Sequence, residues 1–418
     1  MRKGFAVLFN VGIAGVIGGP AVGMLTLAGL EAPRWLGEGL FWLSLAMPAG
    51  LVLGLAWLVV SRGSGERPRA GEVVRIVLSV PLSVLVVGWL GCAAPRGQEA
   101  ARTEVRRPGM IPIVYAANYE IHIMGIEKQF VFDVNKYPRI RDELIKEGLR
   151  KREDFRVPEP LSEEQLLRVH TKRYWEEIQD PGRAARYLEF PAVATIPGPV
   201  YRERGLASFV TAGGGTLLAA RKALEHGLAI NLAGGYAHAW SDGGGGFCLI
   251  ADVPIAVRIL QKEGKVKRVL VIDTDCHHGE GNGKEFACDD AVRVVDFYQE
   301  EIYPSVKEKV WRNVSFAAGI SDEGYMKLLE ANVPSALDEH KPELVMFVMG
   351  SDIYEGDPLT TTNISKETVL KRDLYVVGEC RKRGIPVAMT LSGGYSKESW
   401  RIHADSIAAI VRTYEGLR

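Results

Sequence analysis

Two hydrophobic patterns divide the chain near residue 100. Before it, apolar residues run almost unbroken over residues 5–30, 35–60 and 73–94, parted by the short polar segments EAPR and SRGSGERPRAGE. Each run matches the ~20 residues that cross a bilayer as a helix, and charges are almost absent inside them. The pattern predicts a membrane region over residues 1–95 with about three transmembrane helices. Residues 96–110 are polar and read as a linker.

From residue 111 to 418 the pattern alternates. Short β-branched runs (IPIVY, LAINLA, VKRVLVID, VRVVDF, ELVMFVM, PVAMTLS) are separated by helical periods such as YPRIRDELIKEGL, TLLAARKALEHG, VPIAVRILQKEG and KETVLKRDLYVVGECRKRG. Continuous apolar strands between amphipathic helices predict an α/β domain, a parallel sheet covered by helices on both faces. In such folds, sites form beyond the carboxyl ends of the strands.

Composition narrows the picture. The charges balance, 51 Lys and Arg against 51 Asp and Glu, which gives no electrostatic case for a nucleic-acid partner. Five cysteines, Cys92, Cys248, Cys276, Cys288 and Cys380, form no CxxC pair, so neither a disulfide framework nor a cysteine zinc site is indicated.

The strand ends carry the chemistry. LAINLA is followed by GGYAHAWSDGGGGFC, VLVI by DTDCHHGEGNG, ELVMFVM by GSDIYEGDPLT and PVAMTL by SGGYS. Four polar, glycine-rich ends would converge at one edge of the sheet. Asp273, Asp275 and His277 alternate, so an extended chain aims all three to one side. A carboxylate and an imidazole there make half a site for a divalent metal, which Asp352 can close. Three protein ligands leave a position open for water. A metal-free Asp–His hydrogen-bonded pair is the alternative reading of this stretch alone. Cys276 alternates to the opposite side, as a packing residue does.

These segments resemble the zinc-dependent histone deacetylase family. DTDCHHGEGNGKEF is similar to its first metal segment, GSDIYEGDPL to its second and SGGYS to its tyrosine loop. The class IV branch matches best, through IMGIEKQFVFD, LLRVHTKRYWEEI, AINLAGGYAHAWSDGGGGFC and SGGYSKESWRIHADSI, in that order. The resemblance implies an arginase–deacetylase fold over residues 111–418. It also implies that Asp275, His277 and Asp352 bind zinc and that His238 is the general base and acid; two carboxylate ligands make iron(II) an alternative occupant. Tyr395 would hold the oxyanion, Glu280 would orient His238, and Gly246, Phe247 and Tyr303 would line a tunnel for the lysine methylenes. Asp273 would stand behind the ligands, beside a monovalent cation such as potassium, and His278 would donate or accept hydrogen bonds there. Two positions depart from the family pattern. Ala237 stands where the first of two adjacent histidines is usual, so Asp273 loses that partner, and Phe130 stands where class IV relatives tend to carry histidine.

The expected activity is a membrane-anchored zinc deacylase acting on N-acyl-lysine or a similar N-acyl amine. A weakened relative that binds acylated ligands, and an acylpolyamine or small-amide hydrolase, are the competing readings. Membrane lipid is a partner through the N-terminal spans, making the protein a multi-pass membrane protein. Arg2, Lys3, Arg62, Arg67, Arg69 and Arg75 place the N-terminus and second loop inside, and Arg96, Arg102, Arg106 and Arg107 pull the other way. The side of the catalytic domain therefore stays open. WLGCAAP also resembles a bacterial lipoprotein cleavage site with Cys92 as acceptor. His170 is expected to be a structural loop histidine, His122, His226, His340 and His403 surface or core residues, and Trp240 either a tunnel rim or the cover of a helix end.

Overall fold

The computed structural model describes residues 109–123 and 125–417. The expected membrane region, Cys92 and all but the last two residues of the linker lie outside the described residues. Among the described residues, no helix is long and apolar enough to cross a membrane.

Eight parallel strands form one sheet: β1 (Ile113–Val114), β2 (Phe155–Arg156), β3 (Leu228–Asn231), β4 (Val269–Asp273), β5 (Val292–Gln299), β6 (Arg312–Phe316), β7 (Leu344–Val348) and β8 (Val387–Thr390). Their order is β2-β1-β3-β8-β7-β4-β5-β6. The six apolar runs read from the sequence all carry strands. β2 and β6 were not legible, because they are the edges of the sheet. β2 has two residues, and β6 alternates exposed and buried positions rather than running apolar.

Burial on both faces explains the apolar runs. Leu270, Ile272, Val345 and Phe347 pack into the core on one side, and Val269, Val271, Met346 and Val348 into that on the other. Helices Lys136–Lys146, Ala207–His226, Asp252–Lys262 and Lys366–Lys382 arise from the periodic segments. Two more, Asp322–His340 and Ser399–Glu415, complete the cover. The first of these is harder to see in sequence because Pro334 lies inside it.

The helix expected from Thr216 in fact begins at Ala207 and runs through Gly213, Gly214 and Gly215. A triple glycine reads as a loop, yet here close approach demands it. A Cβ on Gly214 would lie 1.9 Å from the Glu159 carbonyl oxygen, and one on Gly215 2.0 Å from the Tyr119 hydroxyl.

The strand order settles where the site lies. β3, β8, β7 and β4 are consecutive neighbours. Their last residues stand in one row: Asn231 beside Thr390, Thr390 beside Val348, and Val348 beside Asp273. The four glycine-rich segments therefore leave the middle of the sheet side by side.

Candidate metal and catalytic centre

Asp275, His277 and Asp352 come together beyond the ends of β4 and β7, all three buried, with one ligand atom of each within 4.8 Å of the others. His277 Nδ1 lies 2.8 Å from Asp352 Oδ2 and 3.2 Å from Asp275 Oδ1. The backbone holds the carboxylates. The N–H of Cys276 donates to Asp352 Oδ1 at 2.9 Å, and that of Gly393 to Asp275 Oδ2 at 2.7 Å, where the Ser392 hydroxyl also donates at 2.8 Å.

As protein groups alone, the three are forced to share protons. Burial disfavours a charged His277, but hydrogen bonds to Asp275 and Asp352 outweigh it and raise its pKa to about 10. Burial, then the charge of Asp275, raises Asp352 to about 7. Two carboxylates and an imidazole packed this way suit a divalent cation, which neutralises what burial would otherwise penalise. Asp273 is not one of the three. Its Oδ1 accepts from the Asp275 N–H at 3.1 Å, so it orients the ligand segment from behind. Cys276 packs into the core on the far side.

His238 and Tyr395 face the same space. His238 Nδ1 lies 2.5 Å from Glu280 Oε2, and its ring centre is 6.3 Å from that of His277. Burial opposes protonation of His238, and the Glu280 carboxylate overcomes it, so the pKa is raised. Glu280 is the first residue of the helix Glu280–Phe286, which brings it under the histidine. The Tyr395 ring is 5.9 Å from that of His277. Burial, and then Asp275 and Asp352, hold the Tyr395 hydroxyl well above its usual pKa, so it remains a donor.

A pocket opens onto these groups, lined in part by Phe130, Phe132, Gly246, Phe247, His238 and Tyr395. Gly246 (φ 46°) and Phe247 (φ 68°) both adopt left-handed backbone. A Cβ on Gly246 would sit 2.4 Å from His238 Cδ2, so glycine is required for the wall to close on the histidine. Tyr303 stacks edge-on to His238 at 5.2 Å but lines an adjoining open groove with Ile302 and Val306 rather than the pocket itself. The pocket also takes in Tyr119, Tyr137, Phe209 and Tyr236, which sequence reading did not single out. Tyr119, Tyr137 and Phe209 come from helices distant in the chain, so no local signal marks them, whereas Tyr236 stands in the same segment as His238.

The remaining residues sort by contact. His278 accepts from the Glu308 N–H at 2.9 Å and lies 2.8 Å from Asp296, turned away from the ligands. His170 accepts from the Ala251 N–H at 2.9 Å, the structural role expected. Trp240 packs under the Lys284 ammonium at 3.6 Å, so it covers the helix Glu280–Phe286. Ala237 is buried, and a Cβ on Gly279 would lie 3.1 Å from its own Cβ and 2.8 Å from Asp273 Oδ2. Asp273 Oδ2 is a buried oxygen with no hydrogen-bond partner.

Asp275, His277 and Asp352 at the central strand ends could hold a metal ion beside a carboxylate-held histidine and a tyrosine, an arrangement suited to hydrolysis. The chain belongs to the histone deacetylase domain family, whose model matches residues 131–411. It is 34% identical over 305 residues to histone deacetylase 2 of Arabidopsis thaliana, covering 72% of this chain and 79% of that protein. It is 30% identical over 275 residues to a probable deacetylase of Archaeoglobus fulgidus, covering 62% and 74%. The crystal structure of the HDA15 HD domain shares the fold at a TM-score of 0.60 and 18% identity, covering 72% of this chain and 90% of that one.

Proposed function

We propose that the protein is a membrane-anchored, zinc-dependent deacylase that hydrolyses the amide of N-acyl-lysine or a similar N-acyl amine. The observation that carries this reading is the convergence of Asp275, His277 and Asp352 with His238 and Tyr395 at one pocket. Asp275, His277 and Asp352 would hold the zinc, which supplies a Lewis acid for the amide carbonyl. His238 takes a proton from the attacking water and returns it to the leaving amine. Glu280 at Nδ1 fixes the ring so that Nε2 does this work. The Tyr395 hydroxyl donates to the developing oxyanion. Phe247 and Gly246 wall the acyl-amine arm.

The three apolar runs before residue 95 support anchoring to a membrane. The resemblance of several segments, in order, to the class IV branch supports tolerance of long acyl chains. If the pocket accepts them, each buried methylene adds roughly 0.8 kcal/mol, so kcat/KM rises from acetyl toward longer acyl groups.

Ala237 supports a second reading, a weakened relative that binds acylated ligands, because Asp273 Oδ2 is left without a partner. The deciding experiment is turnover of acyl-lysine peptides and N-acylpolyamines of graded acyl length by the purified protein. Turnover of any of these upholds the deacylase. Binding without turnover, in wild type and in Ala237→His alike, upholds the binder.

A further inference from the structure

Tyr395 lies in an irregular segment after β8, where Ser392 (φ 56°) and Gly394 (φ 134°) take left-handed or glycine-type backbone. No helix or strand aims its side chain. The segment is tied down by several hydrogen bonds, among them Ser351 N–H to the Gly393 carbonyl at 3.1 Å and Ser392 N–H to the Gly234 carbonyl at 3.0 Å. Asp275 holds Ser392 and Gly393, as described above. The Lys136 ammonium donates to the Ser392 carbonyl at 2.8 Å. The tyrosine ring meets Phe132, Phe247 and His277 edge-on, and its backbone is held by Asp357, whose Oδ2 accepts from the N–H groups of Tyr395, at 2.7 Å, and Ser396, at 3.0 Å.

Asp357 is itself fixed. It is 4% exposed, and its Oδ1 accepts from the Leu359 N–H at 3.1 Å. Its own N–H donates to the Tyr354 carbonyl at 2.9 Å, closing a turn five residues after Asp352. One rigid segment therefore carries both a metal-type ligand and the anchor of the tyrosine backbone. Charge-assisted bonds from two successive N–H groups resist rotation of the peptide between them. The tyrosine hydroxyl stands at the far end of a long side chain, so a small rotation there would displace it from the reacting carbonyl.

We infer that Asp357 is a positioning residue for the reaction, which sets the Tyr395 hydroxyl by gripping the Tyr395–Ser396 backbone. The inference rests on the deacylase reading. Asn at 357 keeps the shape but has a single acceptor oxygen and no charge, so its NH2 must face either the Leu359 N–H or those of Tyr395 and Ser396, and the bonds that remain lose their charge assistance. The test is a double-mutant cycle of Asp357→Asn and Tyr395→Phe in the full chain, assayed on an N-acetyl-lysine aminocoumarin peptide, with metal content and melting temperature measured on each protein. Asp357→Asn is expected to lower kcat on the order of 10–100-fold, with KM within about twofold and metal content unchanged. It should add nothing further in the Tyr395→Phe background. A merely structural role would instead move KM, metal content and activity together. Wild-type kcat in Asp357→Asn, or losses that multiply in the double variant, overturn the inference. If Asp357→Asn does not fold, the same cycle is run with Asp357→Glu, which keeps the charge but shifts both acceptors by one methylene, and the same loss of kcat confined to the Tyr395 background is expected. A wild type that turns over no acyl amine removes the deacylase reading itself, whereas an active wild type with an impaired Tyr395→Phe and an unaffected Asp357 variant removes only this inference.

Discussion

Asp352 reaches the site from a different strand end than Asp275 and His277, so its removal isolates what the fold contributes to metal binding. Asp352→Ala leaves two donors, and tight metal retention should be lost, from about one ion per chain in the wild type to well under one after dialysis. Metal analysis of both proteins checks this, and equal content would take Asp352 out of the site. His238→Ala should behave differently. His238 is not among the three clustered ligands, so metal content should hold while kcat falls on the order of 10²–10⁴-fold. Ala237→His bears on Asp273 rather than on acyl room, because Ala237 faces Gly279 and the Asp273 carboxylate.

At the scale of elements, the helix Ala207–His226 is the sharpest case of packing overriding propensity. Alanine is favoured over glycine in a helix interior by about 1 kcal/mol, so Gly214→Ala would be stabilising if the helix stood alone. Its Cβ would instead run into the Glu159 carbonyl, a backbone atom that cannot turn aside. Gly214→Ala should therefore lower the melting temperature markedly, and an unchanged or raised value would refute this packing. A pH effect arises where the loop after His170 meets the segment before the helix Asp252–Lys262. Burial lowers the His170 pKa to about 4, against about 6.5 in an unfolded chain. Between those values the unfolded state takes up a proton that the folded state refuses, so stability falls as pH drops through that window and is unaffected above it. The loss is on the order of 3 kcal/mol at most. Melting curves from pH 7 to 4 should be shallower for His170→Gln than for wild type once both are referenced to pH 7.

For the whole molecule, residues 105–418 form a compact unit of their own. A protein starting at Val105 should fold cooperatively without detergent, with a single unfolding transition by calorimetry. The full chain, read as membrane-anchored, should sediment with membranes and need detergent for release. Recovery of the full chain in the aqueous fraction would remove the anchor from the proposal.

How much the chain announces of itself depends on whether the cause is local. Six strands were legible because burial on both faces demands unbroken apolar runs. The cluster of Asp275, His277 and Asp352 was legible because these residues stand at strand ends in tight motifs, Asp275 and His277 two residues apart and Asp352 after another apolar run. Edge strands β2 and β6 were not, since an edge needs little apolar content. Nor was the glycine-rich first half of the helix Ala207–His226, whose requirement comes from Glu159 and Tyr119, far away in sequence. Tertiary structure alone decided that β3, β8, β7 and β4 stand side by side, an order that does not follow the chain. It alone set Tyr303 edge-on against His238 beside an open groove, brought Tyr119 and Tyr137 into the pocket lining, and placed the Asp357 carboxylate under the Tyr395 backbone. Each of these is a contact between segments remote in the chain, which no periodicity encodes.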